Sequence, residues 1–225
     1  MRYVELARAE SPRGEVVLRE REDEDGTGVP VLELRVNGVF VMDSVETSTE
    51  QALATAALSH VEDPRAVVVA GLGLGYTARQ VLTDQRVERL AVVEVEEALV
   101  GWMRDGTVPH GPAFLADERL VVVTADVRQA MAEAAPATYD LVLLDVDNGP
   151  GFLVHDDNAG LYREPFLRMV AAVLRPGGAV AVWSSAESPE LREALAHVFG
   201  DATPIPLDVR LQSRDEQYWL YLARR

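Results

Sequence analysis

A chain of 225 residues, 48% of them apolar, suits one generous domain with a sizeable core, and no internal repeat or low-complexity segment interrupts it. Its 37 acidic and 21 basic residues leave a formal net charge of −16, which opposes a nucleic-acid partner and attracts small cations. Every basic residue is arginine and there is no cysteine, so disulfides, thiolate nucleophiles, cysteine metal sites, a Schiff-base lysine and a phosphate-loop lysine are all excluded.

The opening MRYVELARAESPRGE has no apolar signal segment. The longest apolar stretches, such as Ala66 to Leu74, reach about half of the roughly 20 residues of a membrane span, so a cytoplasmic protein without a membrane partner is expected. The acidic run REREDED, Arg19 to Asp25, reads as a solvated loop. Around it, EVVLRE, VLELRV and VFVMD read as strands, the last two joined by Asn37-Gly38, a turn pair that tolerates positive φ at both positions. Residues 1–47 are therefore expected to form a small N-terminal β-hairpin subdomain ahead of a main domain over 48–225. That domain begins with a helix, STEQALATAALSH, for which Ser48 or Thr49 would be the N-cap.

From Arg65 the pattern becomes short apolar β runs alternating with helical stretches: AVVVAG, LAVVEV, LVVVTA, YDLVLLDV and AVAVWS. The alternation predicts an α/β fold, a mostly parallel sheet with helices on both faces. Helices are expected at 75–84, 96–105, 127–135, 160–174 and 187–199, with RPGG (Arg175 to Gly178) as a stop and turn. ATPIPLDV and QYWLYLAR would complete the sheet as an antiparallel pair.

In such a sheet ligands bind beyond the carboxyl ends of the strands, so the residues closing each strand carry the information. The first ends in AGLGLGY, where Gly71, Gly73 and Gly75 permit a tight turn and close backbone approach before a helix. The second ends at Glu94, 19 positions beyond Gly75, near the spacing at which an acid meets ribose hydroxyls. The third ends at Ala125-Asp126, where a carboxylate could accept from an adenine amino group. The fourth ends at Asp145, with Asp147 two residues on. Each acid has a plainer alternative: Glu94 a solvent-facing strand end, Asp126 a helix cap, Asp147 a turn residue before Asn148-Gly149. Asp145 resists one, because an unpaired carboxylate closing LVLL costs desolvation energy. Gly73 to Ala78 also fits the G-x-G-x-x-A spacing of nicotinamide enzymes, although Asp126, Asp145 and LRPGG point to a ligand with a single adenosine. His155, Asp156 and Asp157 share one loop and read as a solvated lid, so no metal is expected.

Together these residues resemble the class I S-adenosylmethionine-dependent transferases, and within them the spermidine synthase-like (polyamine aminopropyltransferase-like) group, from about Arg13 almost to the C-terminus. The most specific stretch is the Asp145 segment followed by LYREPFLRMVAAVLRPGGAVAV; VMDSVETSTE is similar to the family's approach to its active site. The resemblance implies a Rossmann-like methyltransferase fold in which Gly71, Leu72, Gly73 and Gly75 line the cofactor. Glu94 with Val95 would hold the ribose, and Asp126 with Val127 would meet the adenine. It implies a catalytic role for Asp145, and for Asp147 beside it: orienting and deprotonating an acceptor that attacks a sulfonium carbon.

Four departures bear on the reaction. Leu74 stands where polyamine synthases keep the aspartate of Gly-Gly-Gly-Asp-Gly-Gly, and Val69 or Ala70 where ordinary methyltransferases keep an acid. The family's Tyr-His pair gives way to ALATAAL, and its Asp-x-x-Asp loop to Asp145-Val146-Asp147-Asn148, a form similar to that of family members that transfer methyl groups. Methyl transfer from S-adenosylmethionine to a small-molecule or protein nucleophile is thus the first expectation. Aminopropyl transfer from decarboxylated S-adenosylmethionine is the second, and a non-catalytic adenosyl-binding or scaffold protein the third. The implied partner is a small acceptor such as a cationic amine, and a homodimer is an assembly common in the family. The loop from Asn148 to Tyr162 would shape the acceptor pocket, with Trp183, Tyr162 and Phe152 as candidate lining.

Overall fold

The computed structural model describes residues 3–22, 29–211 and 214–225. Two sheets organise them. The first is an antiparallel meander of β1 (Tyr3–Ser11), β2 (Gly14–Arg21), β3 (Val31–Val36) and β4 (Val39–Asp43) in chain order. Asn37 (φ 51°) and Gly38 (φ 75°) make the expected tight turn. Strand β1 was not expected, because it lies at the sheet edge and its mixture of charged and apolar residues gives no clean alternation. Strand β2 also claims Arg19 to Arg21 from the run read as a loop; 23–25 of that run lie outside the described residues. Arg21 is buried and pairs with Asp43 at 2.8 Å, while Glu33, also buried, takes Arg19 at 2.6 Å and Arg35 at 2.8 Å.

The helix α1 (Ser48–His60) places Ser48 and Thr49 inside its first turn, and neither is the cap. Thr47 occupies that position without a side-chain cap bond, and the Glu46 carboxylate accepts from the Ser48 amide at 2.9 Å instead. The second sheet follows: β5 (Ala66–Ala70), α2 (Tyr76–Leu82), β6 (Arg89–Glu94), α3 (Glu97–Asp105), α4 (Gly111–Leu115), β7 (Leu120–Thr124), α5 (Val127–Glu133), β8 (Tyr139–Leu144), α6 (Glu164–Val173), β9 (Leu174–Ser184), α7 (Pro189–Phe199), β10 (Thr203–Leu211) and β11 (Arg214–Arg224). Its order is β10-β11-β9-β8-β5-β6-β7, with β5 to β9 parallel and the last two strands antiparallel, as expected.

Three local expectations change. The helix expected over 160–174 divides into a 3-10 turn over Asp156–Tyr162 and α6, since Arg163 is extended (φ −110°, ψ 157°) and Pro165 sits in the first turn of α6. RPGG stops α6 but lies within β9 as a bulge, Tyr139 pairing with Leu174 and Leu141 with Ala179. Helix α4, too short and proline-bearing for its periodicity to show, was not expected.

The alternation of the central strands explains why helices cover both faces. Val67, Val69, Leu141 and Leu143 belong to a core with α1 to α4 and the N-terminal sheet, whereas Val68, Ala70, Val142 and Leu144 belong to a core with α5 to α7. Because β5 lies between β8 and β6, connections leave it in opposite directions and a crevice opens at its carboxyl end. Among the described residues no helix is long and apolar enough to cross a membrane.

Candidate active site

The hydrogen-bond ladder runs one residue beyond the central strands. The Asp145 amide donates to the Ala70 carbonyl and the Gly71 amide to the Val93 carbonyl, both at 2.9 Å, so Gly71 and Asp145 lie side by side at the crevice. A Cβ at Gly71 (φ 94°) would stand 2.0 Å from the Asp145 carbonyl oxygen; this is the close approach that requires glycine.

Above this point lies a cavity of about 970 Å³, at the upper end of the volumes usual for small-molecule sites. Gly71, Leu72, Gly73, Glu94, Val95, Asp126, Val127, Asp145 and Asp147 all line it. Gly75 does not: it caps α2 at φ 85° and packs near Met103 and Phe114, so its part is to turn the chain. Leu74, which the resemblance aligns with an aspartate of polyamine synthases, is fully buried in the core and absent from the lining. Of the aromatic candidates only Trp183 lines the cavity; Phe152 is 61% exposed and Tyr162 is buried with its hydroxyl donating to the Val146 carbonyl.

The acids differ in state. Glu94 is 8% exposed, which removes the solvent-facing alternative, and its two oxygens accept from the Leu72 and Glu96 amides at 2.8 Å each. Burial pushes its pKa up, against those hydrogen bonds. Asp126 does cap its helix, accepting from the Arg128 amide at 2.7 Å and pairing with the Arg128 guanidinium at 2.6 Å, which holds it below the usual carboxylate range. Asp147 occupies a left-handed turn (φ 54°) as the turn alternative had it, yet it faces the cavity and accepts from Asn158 Nδ2 at 3.0 Å. Burial raises its pKa. Asp145 is pushed up to about 6 by desolvation, opposed by the Thr77 hydroxyl, which donates to Oδ2 at 2.6 Å.

Sequence reasoning missed Glu50, Thr77, Tyr76 and Arg13, all in the lining. Glu50 is 9% exposed and is pushed up to about 7, first by burial and then by the Asp145 charge. A signal existed: Glu50, Leu53, Ala54, Ala57 and Leu58 share the buried stripe of α1, and an acid on such a stripe is out of place unless it serves a site. Arg13, at the β1-β2 turn, reaches across to the segment after β6, donating to Glu96 Oε1 and to the Val95 carbonyl at 2.7 Å each.

Eight carboxylate residues line the cavity: Glu50, Glu94, Glu96, Asp126, Asp145, Asp147, Asp156 and Asp157. Among the described residues two arginines join them, and both are already paired, Arg13 with Glu96 and Arg128 with Asp126. The acids of the lining thus outnumber its arginines.

Comparison with known proteins places these features in a context. The family model described as the spermine/spermidine synthase domain matches residues 46–201. Polyamine aminopropyltransferase 2 of Pseudomonas aeruginosa is 33% identical over 144 residues, covering 62% of this chain and 39% of that protein. Putrescine N-methyltransferase 3 of Nicotiana tabacum is 29% identical over 125 residues, 55% of this chain and 31% of that one. The chain thus spans less than half the length of either curated relative. A crystal structure of spermidine synthase in complex with the transition state analogue AdoDATO superposes with a TM-score of 0.82 at 17% identity, covering 98% of this chain and 73% of that one, a likeness of fold.

Proposed function

Because this chain belongs to the spermine/spermidine synthase family, we propose that it transfers an aminopropyl group from decarboxylated S-adenosylmethionine to a small cationic amine. This reverses the order expected from sequence, in which methyl transfer came first; the aminopropyltransferase relatives support the reversal. The observation that carries it is the charge of the cavity. S-adenosylmethionine and its decarboxylated form differ by one carboxylate, and a cavity whose lining keeps six acids beyond the two paired with Arg13 and Arg128, several of them already pushed up by burial, disfavours the donor that brings another.

The residues fit such a donor. Gly71, Leu72 and Gly73 leave backbone at the cavity floor, and Glu94 beside Val95 offers acceptor capacity to ribose hydroxyls, as Asp126 beside Val127 does to an adenine amino group. When bound, the donor supplies a carbon made electrophilic by a positive sulfur, which leaves with the bonding pair as a neutral thioether. Asp145 attracts the ammonium of the acceptor and aligns its nitrogen. It then takes the proton that must be shed for a lone pair to form the new carbon-nitrogen bond, and its raised pKa makes it a better base for this than an ordinary aspartate. Asp147, held by Asn158, flanks the same path. In this reading residues 1–47 form the subdomain that closes the cavity through Arg13, and 48–225 the donor-binding domain; a homodimer is part of the same proposal.

Methyl transfer is the second reading, favoured by the absence of an acid at Leu74 and by the putrescine N-methyltransferase relatives. A mass-spectrometric transfer assay separates the two. Incubation of the chain with each donor and a panel of di- and polyamines should give methylthioadenosine and an aminopropylated amine from the decarboxylated donor. A methylated amine from the intact donor alone would replace the first reading with the second, and no product from either would favour the scaffold alternative.

A further inference from the structure

Transfer by Asp145 alone leaves one buried acid of the cavity without a task. Glu50, in the first turn of α1, lines the cavity and is 9% exposed. Among the described residues the one side chain that donates to its carboxylate is the Thr49 hydroxyl, at 2.9 Å to Oε2, and no arginine pairs with it. The charges that bear most on it are negative, first Asp145 and then Glu46, and its own charge is felt by Tyr76 of α2 and Tyr218 of β11. A carboxylate withdrawn from water without a cation costs stability, so its place at the cavity is explained by a cation that arrives with a ligand.

Asp145 is the neighbour with which that cation would be shared. The Thr77 hydroxyl donates to Asp145 Oδ2 at 2.6 Å and lies 3.4 Å from the Glu50 carbonyl oxygen, which ties the first turn of α1, the first turn of α2 and the end of β8 together. Asp145 is only partly buried and lines the same cavity. Amine transfer gives a second acid work to do here. Once Asp145 has taken the proton of the acceptor ammonium it is neutral. The nitrogen then becomes positive again as its lone pair forms the carbon-nitrogen bond and the carbon-sulfur pair leaves on sulfur. A carboxylate that stays ionised beside it stabilises that charge.

Resting on the aminopropyl reading above, we propose that Glu50 is the second acid of the acceptor site: its carboxylate and that of Asp145 hold one ammonium group between them, Asp145 takes the proton, and Glu50 stays charged beside the nitrogen while the new bond forms. In the free chain Glu50 titrates at about 7, so at neutral pH part of the population carries a proton that the ammonium must displace. Amine binding is then coupled to proton release. The coupling belongs chiefly to Glu50, since Asp145, at about 6, is already mostly ionised at neutral pH.

The test is calorimetric titration of the full chain at about pH 7, first with methylthioadenosine and then, at saturation, with 1,4-diaminobutane and with spermidine. Each titration is run in two buffers of different ionisation enthalpy, which reads affinity and protons released together. The expected result is release of about half a proton on binding of the tighter amine by the wild-type chain. Glu50→Gln should weaken that amine about tenfold or more, cut the release to about a tenth of a proton and keep methylthioadenosine affinity within about threefold. Unchanged amine affinity in Glu50→Gln overturns the proposal, as does a weakening with proton release intact, which would mark a merely structural role. Should the variant not fold, the absence of proton release from the wild-type chain decides against it. If methylthioadenosine binds and neither amine does, the acceptor inference fails alone; if methylthioadenosine does not bind, the donor reading beneath it fails as well.

Discussion

Asp145 and Glu50 face the same physical problem, a carboxylate taken out of water without a guanidinium to receive it. Both titrate above their ordinary range in the folded chain, to about 6 and about 7, with burial the first cause in each. In the unfolded chain both return to about 4, so between roughly pH 4 and 7 the folded state holds protons that the unfolded state releases. The stability they contribute is fully present below pH 4 and is lost as pH rises through 7. Glu50→Gln should accordingly raise the unfolding free energy at pH 8 by up to about 3 kcal/mol, at ~1.4 kcal/mol per pH unit, seen as a higher melting temperature, and leave both unchanged at pH 4. A difference independent of pH would contradict the assignment. Asp145→Asn should lower kcat by about 10² to 10⁴, leave methylthioadenosine affinity within about threefold, and abolish the rise of rate with pH centred near 6. Asp145 was legible in the sequence because it ends an unbroken apolar strand. Glu50 was not, because S-T-E at the head of an alanine-rich helix looks like ordinary helix-start chemistry until the stripe it shares with Leu53 and Ala57 is traced.

The turn from β5 into α2 is where local backbone decides whether there is a site at all. Gly71→Ala would force a Cβ to within 2.0 Å of the Asp145 carbonyl at φ 94°, whereas Gly177→Ala in the β9 bulge meets nothing within 4 Å at φ 81°. The second should cost only the left-handed penalty of about 1–2 kcal/mol. The first should exceed it by more than about 2 kcal/mol in chemical denaturation and lose methylthioadenosine binding, since the clash displaces Asp145. Equal costs at the two positions would mean that the crevice tolerates movement. Elements of this kind were read correctly where period and punctuation agree, as in β5, β6, β8 and the Asn37-Gly38 hairpin. They were misread where charge pairing replaces apolar alternation: the end of β2 carries Arg19 and Arg21, whose partners Glu33 and Asp43 are on strands far enough along the chain that no local pattern announces them. The 160–174 segment failed for another reason, since Pro165 opens a helix and the residues before it turn more tightly.

At the scale of the whole molecule, charge and architecture act together. A net charge of −16 surrounds a cavity that is itself acidic, so the proposed cationic acceptor would be steered inward and salt should screen that attraction. Raising salt from about 0.05 to 0.5 M should lower kcat/KM for a diamine severalfold, with little change in the affinity of uncharged methylthioadenosine. Arg13 joins the N-terminal sheet to the rim of this cavity. As a half-exposed ion pair it contributes little to stability, so Arg13→Ala should shift the melting temperature by less than about 4 °C while weakening methylthioadenosine binding about three- to tenfold by freeing the Val95-Glu96 segment. The central claim, that this acid-lined crevice selects the donor lacking a carboxylate, is tested most directly by parallel calorimetric titration with decarboxylated and intact S-adenosylmethionine. The account predicts tighter binding of the decarboxylated form by tenfold or more, about 1.4 kcal/mol; tighter binding of the intact form would contradict it and return the chain to methyl transfer.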